Sequence, residues 1–213
     1  MRSKVIKVHE VTGETPLVAI SGLPGLGAIG VNAASLFVSK GSSTLINQFL
    51  INSSSSNLIV SENGVVSPSA FNVYYVVSKD FFKPILVFLG SFQSQNTIEQ
   101  YKLAEMFLYI AKKLRTRYVF SLGGFQTLRE LKTRNVFIVP NDLMTLRLSV
   151  AQGIKLASGQ ITGAAGLIAG LSKYYGFRGG VLLAETNGQL PDNQASKLLY
   201  EKVVSLINKV VAS

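Results

Sequence analysis

The sequence predicts an α/β fold, a three-layer sandwich with helices on both faces of a mostly parallel central sheet, built as one domain over residues 1–213. Three observations lead there. Short runs rich in β-branched and aromatic residues alternate with segments of helical period. The run 84–89, PILVFL, is apolar without a break, as in a strand buried on both faces. The composition, 47% apolar and 15% charged with 19 glycines, suits a compact domain that buries about 70% of its unfolded surface, and it excludes a disordered chain.

The elements follow in chain order. Arg2, Lys4 and Lys7 precede a stretch from 15 to 39 without a charge, which raises the question of a membrane span. Pro16, Pro24, Asn32 and glycines 22, 25, 27 and 30 would break such a span, and Glu10 and Glu14 interrupt the apolar region that an export signal needs. The same stretch makes sense as a strand over 17–21, a glycine turn and a helix over 26–38. A cytoplasmic protein is the expectation. Strands are predicted over 44–51, 71–77, 84–89, 117–122, 136–139 and 179–184, with the serines 53–56 in a surface loop. Leu103, Phe107, Ile110 and Leu114 recur at helical spacing after a polar start at Asn96, as do Ala195, Leu199, Val203, Leu206 and Val210 after Asp192. A helix over 163–174 is apolar nearly all round and places Gly163, Gly166 and Gly170 where another backbone could approach. These three glycines are the candidate subunit interface.

Several chemistries drop out. Without cysteine the chain has no thiolate nucleophile, disulfide or Cys-based zinc site, and the lone His9 cannot build a multi-histidine metal centre. The 11 Asp and Glu are scattered, with no HExxH or DxD pair. No cofactor and no metal are expected.

The clearest motif is GLPGLGAIG at 22–30, which holds Gly25-x-Gly27-x-x-Gly30 between a strand and a helix. Such glycines can bring backbone amides to a pyrophosphate. A ribose-binding acid is expected about 20 residues on, but none occurs from 46 to 61, and no Walker lysine follows. Close packing of strand on helix is the favoured reading. Loops at the carboxyl ends of strands form ligand crevices in α/β sheets. This makes Gly22, Pro24, Gly25, Gly27, Gln93, Gly123, Gly124, Glu185 and Thr186 the candidate crevice. Glu185 has two readings: with Thr186 and Asp192 it binds a polar group, or with Asp192 it orders the turn and caps the last helix.

The net charge of +10 is concentrated between 112 and 134, where Lys112, Lys113, Arg115, Arg117, Arg129, Lys132 and Arg134 face only Glu130. Such a cluster suits phosphates or an acidic surface. The helix dipole is a sufficient reason for four of these cations, and no nucleic-acid motif accompanies them, so nucleic acid is not the expected partner.

Taken in order, GLPGLGAIG at 22–30, Gly90-Ser91-Phe92-Gln93, Leu122-Gly123-Gly124, GQITGAAGL at 159–167, LLAET at 182–186 and PDNQA at 191–195 resemble the proteasome assembly chaperone family, particularly its archaeal members. The resemblance implies a fold similar to phosphorylases and peptidyl hydrolases, self-assembly into homo-oligomers, and as partners the 20S proteasome α-subunits or a related chaperone subunit. No residue here supports the kinship to ATP-grasp enzymes sometimes attached to the family. Some members end in a hydrophobic residue, tyrosine and any residue; this sequence ends Val211-Ala212-Ser213, so a proteasome contact would use a folded surface or a partner subunit that carries the tail, or would not exist. The function expected is a non-enzymatic assembly chaperone or scaffold. The alternative is a nucleoside- or phosphate-binding protein or enzyme that uses the strand-end glycines.

Overall fold

The computed structural model describes residues 4–50, 58–60, 63–127, 131 and 133–213; the predicted serine loop at 53–56 lies outside them. The chain runs β1 (Lys4–Lys7), β2 (Val18–Gly22), a 3-10 turn at Leu26–Ala28, α1 (Ile29–Lys40), β3 (Ser42–Leu50), β4 (Leu58–Val60), β5 (Val66–Pro68), β6 (Phe71–Val77) and β7 (Ile85–Gly90). It continues with α2 (Thr97–Lys113), β8 (Tyr118–Gln126), β9 (Val136–Pro140), α3 (Leu143–Ala151), β10 (Lys155–Leu156), α4 (Ala164–Ser172), β11 (Arg178–Thr186) and α5 (Asn193–Ala212).

Nine strands form one sheet in the order β1-β3-β6-β7-β2-β8-β11-β9-β10, while β4 and β5 pair as a separate hairpin. The four central strands β7, β2, β8 and β11 are parallel. The flank β1-β3-β6-β7 and the β11–β9 pair are antiparallel. Strand side chains alternate between the two faces. Val18, Ile20, Ile85, Val87, Phe120 and Leu182 therefore meet α1 and α5 on one side, while Ala19, Leu86, Phe88 and Val119 meet α2 and α4 on the other. Three layers result, as the apolar runs predict.

The helices start where polar side chains can satisfy their first amides. Asn96 accepts from the amides of Ile98 and Glu99 at the head of α2, and Asp192 from that of Ala195 at the head of α5. α3 is not foreseen by the sequence reading. It is capped by Asp142, which takes bonds from the amides of Met144 and Thr145, and whose second oxygen takes the Thr145 hydroxyl and the Gly179 amide. Burial pushes the Asp142 carboxyl up, but these bonds outweigh it and hold the group below the usual aspartate range.

Among the described residues, no helix is long and apolar enough to cross a membrane. The charge-free stretch 15–39 is divided between β2, the turn and α1, as the glycines and prolines require.

Candidate functional site

The turn after β2 is shaped by contact between backbones. A Cβ on Gly22 would lie 2.3 Å from both Ala34 Cβ and the Gly30 carbonyl oxygen, and one on Gly30 would lie 2.3 Å from the Leu122 carbonyl oxygen. No real side chain fits at either distance, so glycine at these positions lets β2, α1 and β8 lie directly against one another. Gly27 (φ 62°) and Ala28 (φ 52°) then turn through the left-handed region before the helix begins. The Asp192 amide donates to the Gly27 carbonyl at 2.9 Å, which fastens this first turn to the start of the last helix.

Beside the turn, the carboxyl ends of β2 and β8 border a crevice of about 350 Å³, closed on the far side by residues 157–162. Of the candidate residues, Gly25, Gln93, Gly123 and Gly124 line it. Gln93 sits between two glycines: a Cβ would come 3.8 Å from its Oε1 on Gly25 and 2.4 Å from its Nε2 on Gly163. Gln126, Ser158, Gln160 and Thr162 also line the crevice, and the sequence reading missed them. Gln126 ends β8, while Ser158, Gln160 and Thr162 flank Gly159 and Gly163, glycines that the sequence reading takes as leading into the following helix. Among the described residues, the polar side chains of the lining are amides and hydroxyls, which can both donate and accept hydrogen bonds to neutral groups.

Gly22, Pro24, Gly27, Glu185 and Thr186 do not line this crevice. Glu185, 3% exposed, directs Oε2 to the backbone amide and the side-chain amide of Asn135 at 3.1 and 2.8 Å. Thr186 donates its hydroxyl to Asp192 Oδ2 at 2.6 Å. Arg134 reaches the same oxygen at 2.7 Å and the Glu185 carbonyl at 2.9 Å. With the side chains of Arg134 and Asp192 14% and 2% exposed, this is a buried, hydrogen-bonded ion pair that orders the turn before α5. Of the two readings of Glu185, this arrangement matches the one in which Glu185 and Asp192 order the turn and cap the helix.

The basic region divides. Lys112, Lys113, Arg115 and Arg117 are exposed where α2 ends and β8 begins. Arg134 is spent at the other end of the sheet, about 26 Å away by the rise of the strands between. Arg129, Glu130 and Lys132 lie outside the described residues. On the candidate interface helix, Gly166 faces the Ile161 carbonyl, Gly163 faces Gln93, and Gly170 is exposed with open space around its Cβ position.

Together, the sandwich and its strand-end crevice define an α/β domain whose glycine turn is filled by the protein's own backbone. Residues 19–213 match the model of the PAC2 family, and the chain belongs to that family. An uncharacterized protein of Methanocaldococcus jannaschii is 28% identical over 204 residues, 95% of this chain and 78% of that protein. The crystal structure of Pyrococcus furiosus PbaB, an archaeal proteasome activator, superposes with a TM-score of 0.88 at 22% identity, covering 97% of this chain and 89% of the other. The Pyrococcus furiosus PbaA structure, an archaeal homolog of proteasome-assembly chaperone, gives 0.77 at 21% identity and covers 100% of this chain and 83% of its own. A Mycobacterium tuberculosis proteasome-assembly chaperone homologue gives 0.72 at 14% identity, with 92% and 86% covered.

Proposed function

We propose that this protein is a non-enzymatic, homo-oligomeric assembly factor of the proteasome assembly chaperone type, which contacts proteasome α-subunits or a related chaperone subunit through its folded surface. The observation that carries the reading is the family match over residues 19–213. The turn geometry supports it, because Gly22 and Gly30 of the glycine motif serve to hold β2, α1 and β8 together. The experiment is co-purification of a tagged chain with 20S α-subunits at low salt, together with light scattering at micromolar concentration. Retention of α-subunits and a mass of several chains are the expected results. No retention removes the proteasome partner, and the mass of a single chain removes the oligomer.

A second reading is favoured by the crevice itself. Gly25, Gln93, Gly123 and Gly124 converge there with further amide and hydroxyl groups, a chemistry suited to a neutral polar ligand such as a nucleoside more than to a bare phosphate. Its test is thermal shift against a panel of nucleosides and nucleotides. A rise in Tm with a nucleoside that is lost in Gln93→Ala supports it, and no shift with any member of the panel overturns it.

A further inference from the structure

Among the described residues, the β4–β5 hairpin exposes a run of aliphatic side chains. Leu58, Ile59, Val60 and Val66 are 64%, 42%, 64% and 57% exposed. Consecutive strand residues face opposite sides, so three aliphatic residues in a row put apolar surface on both faces of the hairpin. Among the described residues the two strands pair only with each other, Leu58 opposite Pro68 and Val60 opposite Val66. A two-stranded hairpin is at best marginally stable alone in water, and its outer strand edges are templates for association.

A complementary feature lies on the other face of the same sheet edge. Between β1, β3 and α2 runs a groove of about 790 Å³ walled by Val5, Val11, Ile46, Phe49, Met106 and Ile110. The base of the hairpin, through Ile59 and Pro68, borders a hollow with Val31 and Ser35 of α1, on the opposite side of the sheet. A chain's own hairpin therefore does not reach its own groove.

Charge indicates what covers both. Contact between two copies of a chain carrying +10 is opposed unless the meeting surfaces are themselves close to neutral. The strand sequences LIV and VSP carry no charge, and the groove balances Lys7 and Lys113 against Glu10 and Glu105. An acidic partner would instead be drawn to Lys112, Arg115 and Arg117, exposed cations where α2 ends that are not part of the groove lining. We propose that the β4–β5 hairpin of one copy seats in the α2-side groove of the next, a head-to-tail contact that closes into a ring or extends as a filament. This deepens the oligomeric reading above and rests on it.

Because the chain has no cysteine, single thiols can be placed at will. Val60→Cys and Tyr109→Cys, the latter on an exposed position of the groove, are prepared separately and treated with a bifunctional maleimide alone and mixed. A cross-linked dimer in the mixture but in neither variant alone is the expected result. The double substitution Leu58→Asp/Val60→Asp is expected to weaken self-association at least about tenfold by light scattering, with the Tm of the dissociated chain unchanged. Cross-linking of Val60→Cys to itself overturns the head-to-tail contact. Full-size assembly of the double aspartate variant, with no 60–109 cross-link, sinks the hairpin contact and leaves the oligomer standing. A single-chain mass for the unsubstituted protein sinks both.

Discussion

At the carboxyl end of β11, and again in the β4–β5 hairpin, the chain leaves its central sheet, and the two exits are built on opposite terms. Around β11, Glu185, Thr186, Arg134 and Asp192 satisfy one another, the Asp192 amide finds Gly27, and nothing there needs a partner. In the hairpin, aliphatic side chains stand in water over a ladder three residue pairs long. Strongly interacting groups are enclosed where the fold must be unique, and weakly supported ones are left out where another surface can complete them. Losses at the first exit should therefore appear in the stability of the single chain, and losses at the second only in association.

The largest expected effect is at the buried ion pair. Asp192→Ala leaves the Arg134 charge without its partner and removes the cap of α5, and should destabilise the protein by about 3–5 kcal/mol in urea unfolding. A loss under about 1 kcal/mol would mean that the pair is not what orders this turn. Next is Gly30→Ala, whose Cβ would meet the Leu122 carbonyl oxygen at 2.3 Å and should cost about 2–3 kcal/mol, since the neighbour is backbone and cannot step aside.

Tyr200 comes third. Burial first, then its 3.0 Å bond to Asp80 and the charges of Asp80 and Glu201, push its phenol up to about 12. A pKa raised on folding favours the protonated form in the folded state. The stabilisation from Tyr200 is thus complete below pH 10, the ordinary phenol value, and is lost as pH rises towards 12. Tyr200→Phe should cost about 1 kcal/mol at neutral pH through the missing hydrogen bond, and should flatten the decline in urea midpoint above pH 10. An unchanged alkaline decline would show that another group causes it. The smallest effect belongs to the hairpin: Leu58→Asp should change single-chain stability by no more than about 0.5 kcal/mol. A larger loss would show the hairpin to be part of the core, and the contrast between the two exits would fall.

Much of this arrangement is legible before any coordinates, because it is local. The strand over 71–77 and the starts of α2 and α5 follow from side-chain period and from caps lying next to the residues they cap. The crevice is legible in part: Gly25, Gln93, Gly123 and Gly124 are found by their position after strands, Gln126 is missed because β8 runs four residues beyond the predicted strand 117–122, and Ser158, Gln160 and Thr162 follow only the two-residue β10. α3 escapes because its two sides differ little in polarity; the one available signal is Asp142 three residues before Thr145, a cap that resembles any turn aspartate. The antiparallel placement of β9 against β11 depends on pairing across 40 residues or more, which no local pattern encodes. For the same reason Arg134 reads as one of a row of surface cations, when its partner lies 58 positions away.

β11 follows β8 and β9 in the chain, yet it lies between them in the sheet. As the chain emerges from the ribosome, everything up to α4 is present while that slot stands open, with the edges of β8 and β9 bare on either side and the α1 face awaiting α5. Until residues 178–213 follow, those bare edges are the kind of surface that invites pairing with another chain.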